Sequence, residues 1–258
     1  MILPFYWVDA FTSEVFSGNP AAVCPLETWL DEKLLQKMAW QHGLSETAFF
    51  VQTDEHRYHL RWFTPTSEVD LCGHATLASA HVLFQEMRIS RNKITFDSRS
   101  GPLVVGIVEE HRLCLDFPVL SIGDTQTPGK LAQALGRVPE WASLSPMSWL
   151  AVYRTAQEVR SLSPDHVALA KLKPGRCIVT APGDESGVDF VSRFFAPDAG
   201  IPEDPVTGSA HCMLTPYWAG RLGKKHLHAK QASRRGGELW CTLDGERVRI
   251  AGHAVTYL

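Results

Sequence analysis

The feature that most constrains the fold of this 258-residue chain is an internal repeat of about half its length. Arg61-Trp62-Phe63-Thr64-Pro65 reappears as Arg193-Phe194-Phe195-Ala196-Pro197, an offset of 132 (193 − 61). Each segment runs through an acidic loop into a turn of small residues that opens an apolar helix. The turn is Cys72-Gly73-His74-Ala75 in the first half and Thr207-Gly208-Ser209-Ala210 in the second. At the glycines the offset is 135 (208 − 73), so the second loop carries three additional residues. It then stays at 135: Ser98-Arg99-Ser100-Gly101 falls on Ser233-Arg234-Arg235-Gly236, and Val104 on Leu239. Loops absorb insertions and paired elements do not. A shift that stays constant through later elements therefore marks two diverged copies of one half-molecule.

The local patterns fit such halves. Phe5–Val8 reads as a strand. Thr28 is a candidate cap for a helix through Gln41, with Leu30, Leu34 and Met38 on one face and Gly43 as its stop. Thr47–Val51 and the alternating Tyr58, Leu60 and Trp62 read as strands. The helix after Gly73, through Phe84, is apolar or small all round and should be buried. Strands are expected at Lys93–Phe96 and Leu103–Val108. In the second half Ser163-Pro164-Asp165 starts a helix, and strands follow at Cys177–Thr180 and Asp189–Phe195. The Gly208 helix is expected to kink or end at Pro216. Pro118–Pro128, polar and containing Gly123, is the natural linker.

Composition excludes several classes. With 25 basic and 28 acidic residues, net charge −3, the chain has no electrostatic footprint for nucleic acid. No apolar run is long enough to span a bilayer, and Met1–Val8 lacks the basic start of a signal peptide. Cys24, Cys72, Cys114, Cys177, Cys212 and Cys241 form no C-x-x-C pair. Zinc ribbons and thioredoxin-type sites are not expected, whereas reduced thiols and a cytoplasmic setting are.

Two helices that start at glycine turns offer two places for an anion. A helix N-terminus presents unpaired N–H groups and about half a positive charge, and Gly73 and Gly208 let a ligand approach the backbone. Packed about a pseudo-twofold axis, both starts would face one cleft suited to a small carboxylate. His74 lies in the first turn of its helix, where the helix field lowers an imidazole pKa. Glu46, within Leu44-Ser45-Glu46-Thr47-Ala48-Phe49-Phe50-Val51, has apolar neighbours. Desolvation there would raise its pKa toward neutrality, which suits one group acting as base and then as acid. Asp204 lies in the acidic loop before Gly208; by itself it reads first as a turn or helix-cap aspartate.

These residues carry a resemblance. Phe16-Ser17-Gly18-Asn19-Pro20-Ala21-Ala22-Val23, Leu44-Ser45-Glu46-Thr47-Ala48-Phe49, Arg61-Trp62-Phe63-Thr64-Pro65, Glu68-Val69-Asp70-Leu71-Cys72-Gly73-His74-Ala75-Thr76 and Glu203-Asp204-Pro205-Val206-Thr207-Gly208-Ser209-Ala210 resemble the PhzF family, in order and along the whole chain. The resemblance implies an α+β chain of two pseudo-symmetric diaminopimelate epimerase-like domains, each a strand-rich barrel around a central helix. The domains would be 1–117, joined by the returning C-terminal strand at about 254–258, and 118–253. It further implies a homodimer, an interdomain cleft, and neither metal nor cofactor. In site terms, Glu46 matches the proton-shuttling glutamate and His74 the histidine of the G-H motif. Asp204 and Ser209 match the D-P-x-T-G-S motif. His74 and Asp204 would thus join Glu46 as catalytic residues that bind and polarise substrate, and Ser209 would bind it beside Gly73 and Gly208.

The expected activity is a proton shift on a small carboxylate-bearing substrate. Its two rivals are a binding protein that retains the cleft and a cysteine-dependent racemase. The resemblance to diaminopimelate epimerase implies two cysteines as opposed bases, one before each glycine turn. This chain has Cys72 at the first position and Thr207 at the second, so a two-thiol mechanism is not expected.

Overall fold

The computed structural model describes residues 2–258. The chain forms two compact units. One comprises the residues up to Asp116 together with Ala251–Leu258, and the other is Phe117–Ile250.

The first unit opens with β1 (Tyr6–Ala10) and β2 (Asn19–Leu26), an antiparallel pair in the register Val8↔Ala21. Gly18, which leads into β2, has φ +64°, and a Cβ there would lie 2.2 Å from the Ala10 carbonyl oxygen, so only glycine fits. The first helix, α1 (Glu32–His42), is capped by the Asp31 side chain, not by Thr28, and stops at Gly43 with φ +65°. Its buried face is also one residue round from expectation. Leu35 and Ala39 are buried, whereas Leu34 is exposed.

Helix α1 crosses to β3 (Thr47–Asp54), parallel to β2, which turns into the antiparallel β4 (Arg57–Phe63). Tyr58, Leu60 and Trp62 are buried, as their alternation predicts. A short β5 (Glu68–Val69) pairs with β4 and leads into α2 (Gly73–His81). Residues His74–Ala80 of α2 are all buried, and the helix packs against β1, β2 and β3. It continues as a π-helical turn, Val82–Glu86. Then β6 (Lys93–Ser98) lies parallel to β4, and β7 (Gly101–Ile107) and β8 (Leu113–Pro118) extend the ladder antiparallel.

The second unit follows the same plan. A short β9 (Asp124–Thr125) precedes α3 (Gly129–Leu135), β10 (Trp141–Leu144) and β11 (Trp149–Val152). Helices α4 (Ala156–Arg160) and α5 (His166–Ala170, capped by Asp165) lead to β12 (Cys177–Pro182) and β13 (Phe190–Ala196). Then come β14 (Ile201–Asp204), α6 (Gly208–Leu222), β15 (His226–Gln231), β16 (Gly237–Asp244) and β17 (Arg247–Gly252). The pairings β10–β11 antiparallel, β11–β12 parallel, β12–β13 antiparallel, β13–β15 parallel and β15–β16 antiparallel reproduce β1–β2, β2–β3, β3–β4, β4–β6 and β6–β7. The terminal β18 (Ala254–Thr256) pairs antiparallel with β1, just as β9 does with β10.

The ion pairs locate the three extra residues. Arg61 bonds Glu68 through two nitrogens at 2.7 Å each, and Arg193 bonds Glu203 likewise at 2.7 and 3.0 Å. Each guanidinium also lies over a ring, Phe63 at 5.1 Å and Phe195 at 4.9 Å. Between the partners of the second pair stands a 3-10 turn at Pro197–Ala199, closed by Gly200.

Two expectations need correction. The helix α6 does not end at Pro216 but runs to Leu222 and stops at Gly223. Proline removes the N–H that would bond the carbonyl four residues back, that of Cys212; the Leu120 N–H bonds it instead, at 3.1 Å. Leu120 belongs to the stretch that reads as a linker, and that stretch is built into the second unit. Val119 N–H bonds Glu246, and Asp124–Thr125 pairs with Ser143–Leu144.

Candidate functional site

Glu46 is the residue before β3. Its carbonyl accepts from the Ala22 N–H, which ties it to β2. Cys72 is the N-cap of α2, and its side chain makes no cap bond, so the first N–H groups of that helix are not blocked from within. His74 follows one residue into the helix. Because α2 packs against β2 and β3, these three side chains converge. The Glu46 Oε2 lies 3.4 Å from His74 Nε2, and the Cys72 Sγ 3.5 Å from His74 Nδ1. The cluster is largely shielded: the Glu46 side chain is 15% exposed and that of His74 8%.

Burial lowers the pKa of His74 to about 4, against a smaller opposing effect of the Pro20 carbonyl. The direction is the one expected from the sequence, but burial is the dominant cause. The imidazole is therefore neutral at physiological pH. Glu46, Cys72 and His74 each offer one ligand atom, all within 4.8 Å of one another, so they are the residues with which this unit could hold a metal ion.

The second unit carries a related but different arrangement at the start of α6. Thr207, the N-cap, again makes no cap bond; its hydroxyl donates to the Asp204 carboxylate. Buried Gln231, on β15, clasps the loop. Its Oε1 accepts from Thr207 N–H at 2.9 Å, and its Nε2 donates to the Asp204 carbonyl at 2.8 Å and to Thr207 Oγ1 at 3.2 Å. Gly208 has room around it, since a Cβ there would meet nothing within 4 Å. Ser209 is exposed in the first turn. His211, fully buried, holds Thr207 O through Nδ1 at 2.8 Å, and burial lowers its pKa to about 4.

The structure thus brings Glu46, Gly73 and His74 together in one unit and Asp204, Gly208 and Ser209 in the other. Sequence reasoning overlooked Gln231 and His211. Position in the repeat is the one signal for His211: it falls on Thr76, and both side chains bond the carbonyl of their N-cap residue.

Comparison with known proteins agrees with this architecture. The sequence pattern of the PhzC-PhzF family, phenazine biosynthesis-like protein, matches residues 8–258. A Pseudomonas aeruginosa protein named as an uncharacterized isomerase is 53% identical over 255 residues, covering 99% of this chain and 96% of its own. A crystal structure of a PhzF-family phenazine biosynthesis protein from Enterococcus faecalis superposes with a TM-score of 0.95 at 46% identity, covering 100% of this chain and 98% of its own. A predicted epimerase from Pseudomonas aeruginosa shares the fold at TM-score 0.76 and 20% identity, covering 100% of this chain and 98% of its own. The fold is therefore the α+β, strand-rich diaminopimelate epimerase-like fold. Among the described residues no helix is long and apolar enough to cross a membrane. The motif order, the repeated ladder and these matches agree, and the chain belongs to the PhzC-PhzF family of phenazine biosynthesis-like proteins.

Proposed function

We propose that the protein is an isomerase that shifts a proton on a small carboxylate-bearing substrate without a cofactor, with Glu46 as base and then acid. The observation that carries this reading is the shielded Glu46–His74 pair beside the uncapped start of α2. Glu46 takes a proton from carbon, and the electron pair moves into the adjacent carboxylate or unsaturated system. Charge on that system would be met by the N–H groups at the start of α2. Protonated Glu46 then returns the proton at another position. The neutral state of His74 matters here. An imidazolium 3.4 Å from the carboxylate would stabilise the anion by about 5 kcal/mol at an effective dielectric of about 20, and so weaken Glu46 as a base. Family membership, together with a relative named as an isomerase, supports the reaction class.

By the same motif match His74 and Asp204 are proposed as catalytic residues with Glu46, polarising the substrate, and Gly73, Gly208 and Ser209 as substrate-binding residues. Thr207, in place of a second thiol, favours transfer from one side over inversion by two bases. A homodimer and a cytoplasmic location complete the reading, and sedimentation velocity tests the dimer. The test of function is solvent deuterium incorporation into a panel of small amino and aromatic carboxylates. Glu46→Gln should lower the exchange rate by roughly 10²–10⁴; undiminished exchange would remove Glu46 from the mechanism. Dialysis against EDTA should leave the wild-type rate intact or raise it. Loss of activity restored by a divalent metal would overturn cofactor independence.

A further inference from the structure

We propose that Glu46, Cys72 and His74 form a capture site for a thiophilic divalent metal, Zn²⁺ foremost, whose occupation switches off proton transfer at this centre. The metal site rests on geometry alone; its effect on turnover rests also on the proposed role of Glu46.

The ligand set is carboxylate, thiolate and imidazole, three donors that zinc accepts together with a water or other ligand in a fourth position. With metal–ligand distances of about 2.0–2.1 Å to nitrogen and oxygen, two corners of a zinc tetrahedron lie about 3.3–3.4 Å apart. Glu46 Oε2 and His74 Nε2 already stand 3.4 Å apart. The Cys72 sulfur approaches the other ring nitrogen, Nδ1, at 3.5 Å, and one ligand atom from each of the three residues lies within 4.8 Å of the other two. A sulfur–nitrogen edge of such a tetrahedron is about 3.6 Å, so no pair in the set has to close by more than about 1.5 Å. Among the described residues, no other group of three His, Cys, Asp or Glu side chains brings ligand atoms this close.

The charges also balance. Cys72 releases its proton to water, and thiolate and carboxylate together neutralise the dication. The sulfur sits at the start of α2, where the helix dipole favours an anion. A bound metal occupies the Glu46 oxygen that would take the substrate proton and holds His74 against it. The resting enzyme would then be metal-free, and the same three groups would make it sensitive to zinc.

Cobalt is the probe, added alone to the purified full chain. One equivalent per chain should produce a thiolate-to-cobalt charge-transfer absorption together with the strong visible bands of a four-coordinate ion. Zinc should displace both. Cys72→Ser should abolish the charge-transfer band. Glu46→Gln should keep it while weakening cobalt affinity by about tenfold or more. No charge-transfer band in the wild type, a band that survives Cys72→Ser, or unchanged affinity in Glu46→Gln overturns the site. In the deuterium-exchange assay, zinc should inhibit the wild type and EDTA should restore it. Cobalt spectra as expected with undiminished exchange in zinc would leave the metal site standing and overturn its effect on turnover.

Discussion

His211 gives the fold of the second unit a calculable sensitivity to acid. The side chain is fully buried on α6. It is bonded through Nδ1 to Thr207 O, lies 3.5 Å through Nε2 from the Ser192 hydroxyl, and packs beside the Phe190 ring at 5.8 Å. With Nδ1–H donating to a carbonyl, Nε2 is the bare nitrogen, and a second proton would have to be buried there. Burial accordingly lowers the pKa from 6.5 to about 4. Between these values the unfolded chain binds a proton that the folded chain does not, so stability rises with pH across this window and falls as pH drops through it. Each pH unit is worth about 1.4 kcal/mol. Going from pH 7 to pH 5 crosses roughly one and a half units of the window and should cost about 2 kcal/mol from this one group. His211→Asn retains a donor for Thr207 O but no titrating ring. His74 has the same direction of shift and is present in both proteins, so the difference between them isolates His211. Urea denaturation at pH 7 and pH 5 should show the variant losing about 2 kcal/mol less than the wild type. Equal losses in the two proteins would refute the assignment of the acid sensitivity to buried, neutral His211.

Other perturbations follow from the same geometry. Gln231→Leu removes three hydrogen bonds and leaves the Thr207 N–H without its Gln231 partner. It should cost about 2–4 kcal/mol in denaturant and lower the exchange rate by displacing Asp204; a cost below about 0.5 kcal/mol would show that the clasp is idle. Arg193 spans Glu203 and, through Nη1, the carbonyls of Val159, Arg160 and Leu162. Arg193→Lys should therefore destabilise by about 3 kcal/mol, since an ammonium cannot reproduce the fork; a melting temperature equal to wild type would contradict this. Gly18→Ala places a Cβ 2.2 Å from the Ala10 oxygen at φ +64°. It should yield little soluble protein, and wild-type stability there would mean that the turn rearranges freely.

Much of the fold was readable because it is written twice. One repeat alone gives short apolar runs that suit several folds; the shared shift of 135 between 73/208 and 98/233 orders them into equivalent places. Features set by long-range partners stayed hidden. Thr28 has the chemistry of a cap, yet Asp31 takes the role, and helix propensity does not decide between caps three residues apart. Pro216 reads as a breaker because nothing local shows that Leu120, 96 positions earlier (216 − 120), will satisfy the Cys212 carbonyl. Glu46 and His74 stand out in sequence by their motifs, but their approach depends on the packing of α2 against β2 and β3. Gln231 carries no sequence signal at all, as a glutamine near the end of a strand is ordinarily a surface residue.

The two repeats have used one backbone device differently. Each ends a short strand in an acidic loop, turns at a glycine and starts a buried helix whose N-cap side chain leaves the first N–H groups open. In the first repeat the cap is a thiol beside an imidazole and a carboxylate, three groups that can exchange protons or bind metal. In the second, the cap hydroxyl is spent on Asp204, and Gln231 and His211 hold the cap residue from two further sides. A loop braced by so many bonds suits fixed recognition better than proton exchange. Chemistry should therefore concentrate on the Glu46 side, and substitutions should divide accordingly. Changes at Glu46 or His74 should act on the rate of proton transfer with little change in KM. Changes at Ser209 or Gln231 should act on KM or on stability first. A Gln231→Leu variant with normal stability and KM but a greatly reduced maximal rate would break this division, because it would place the reacting groups in the second repeat.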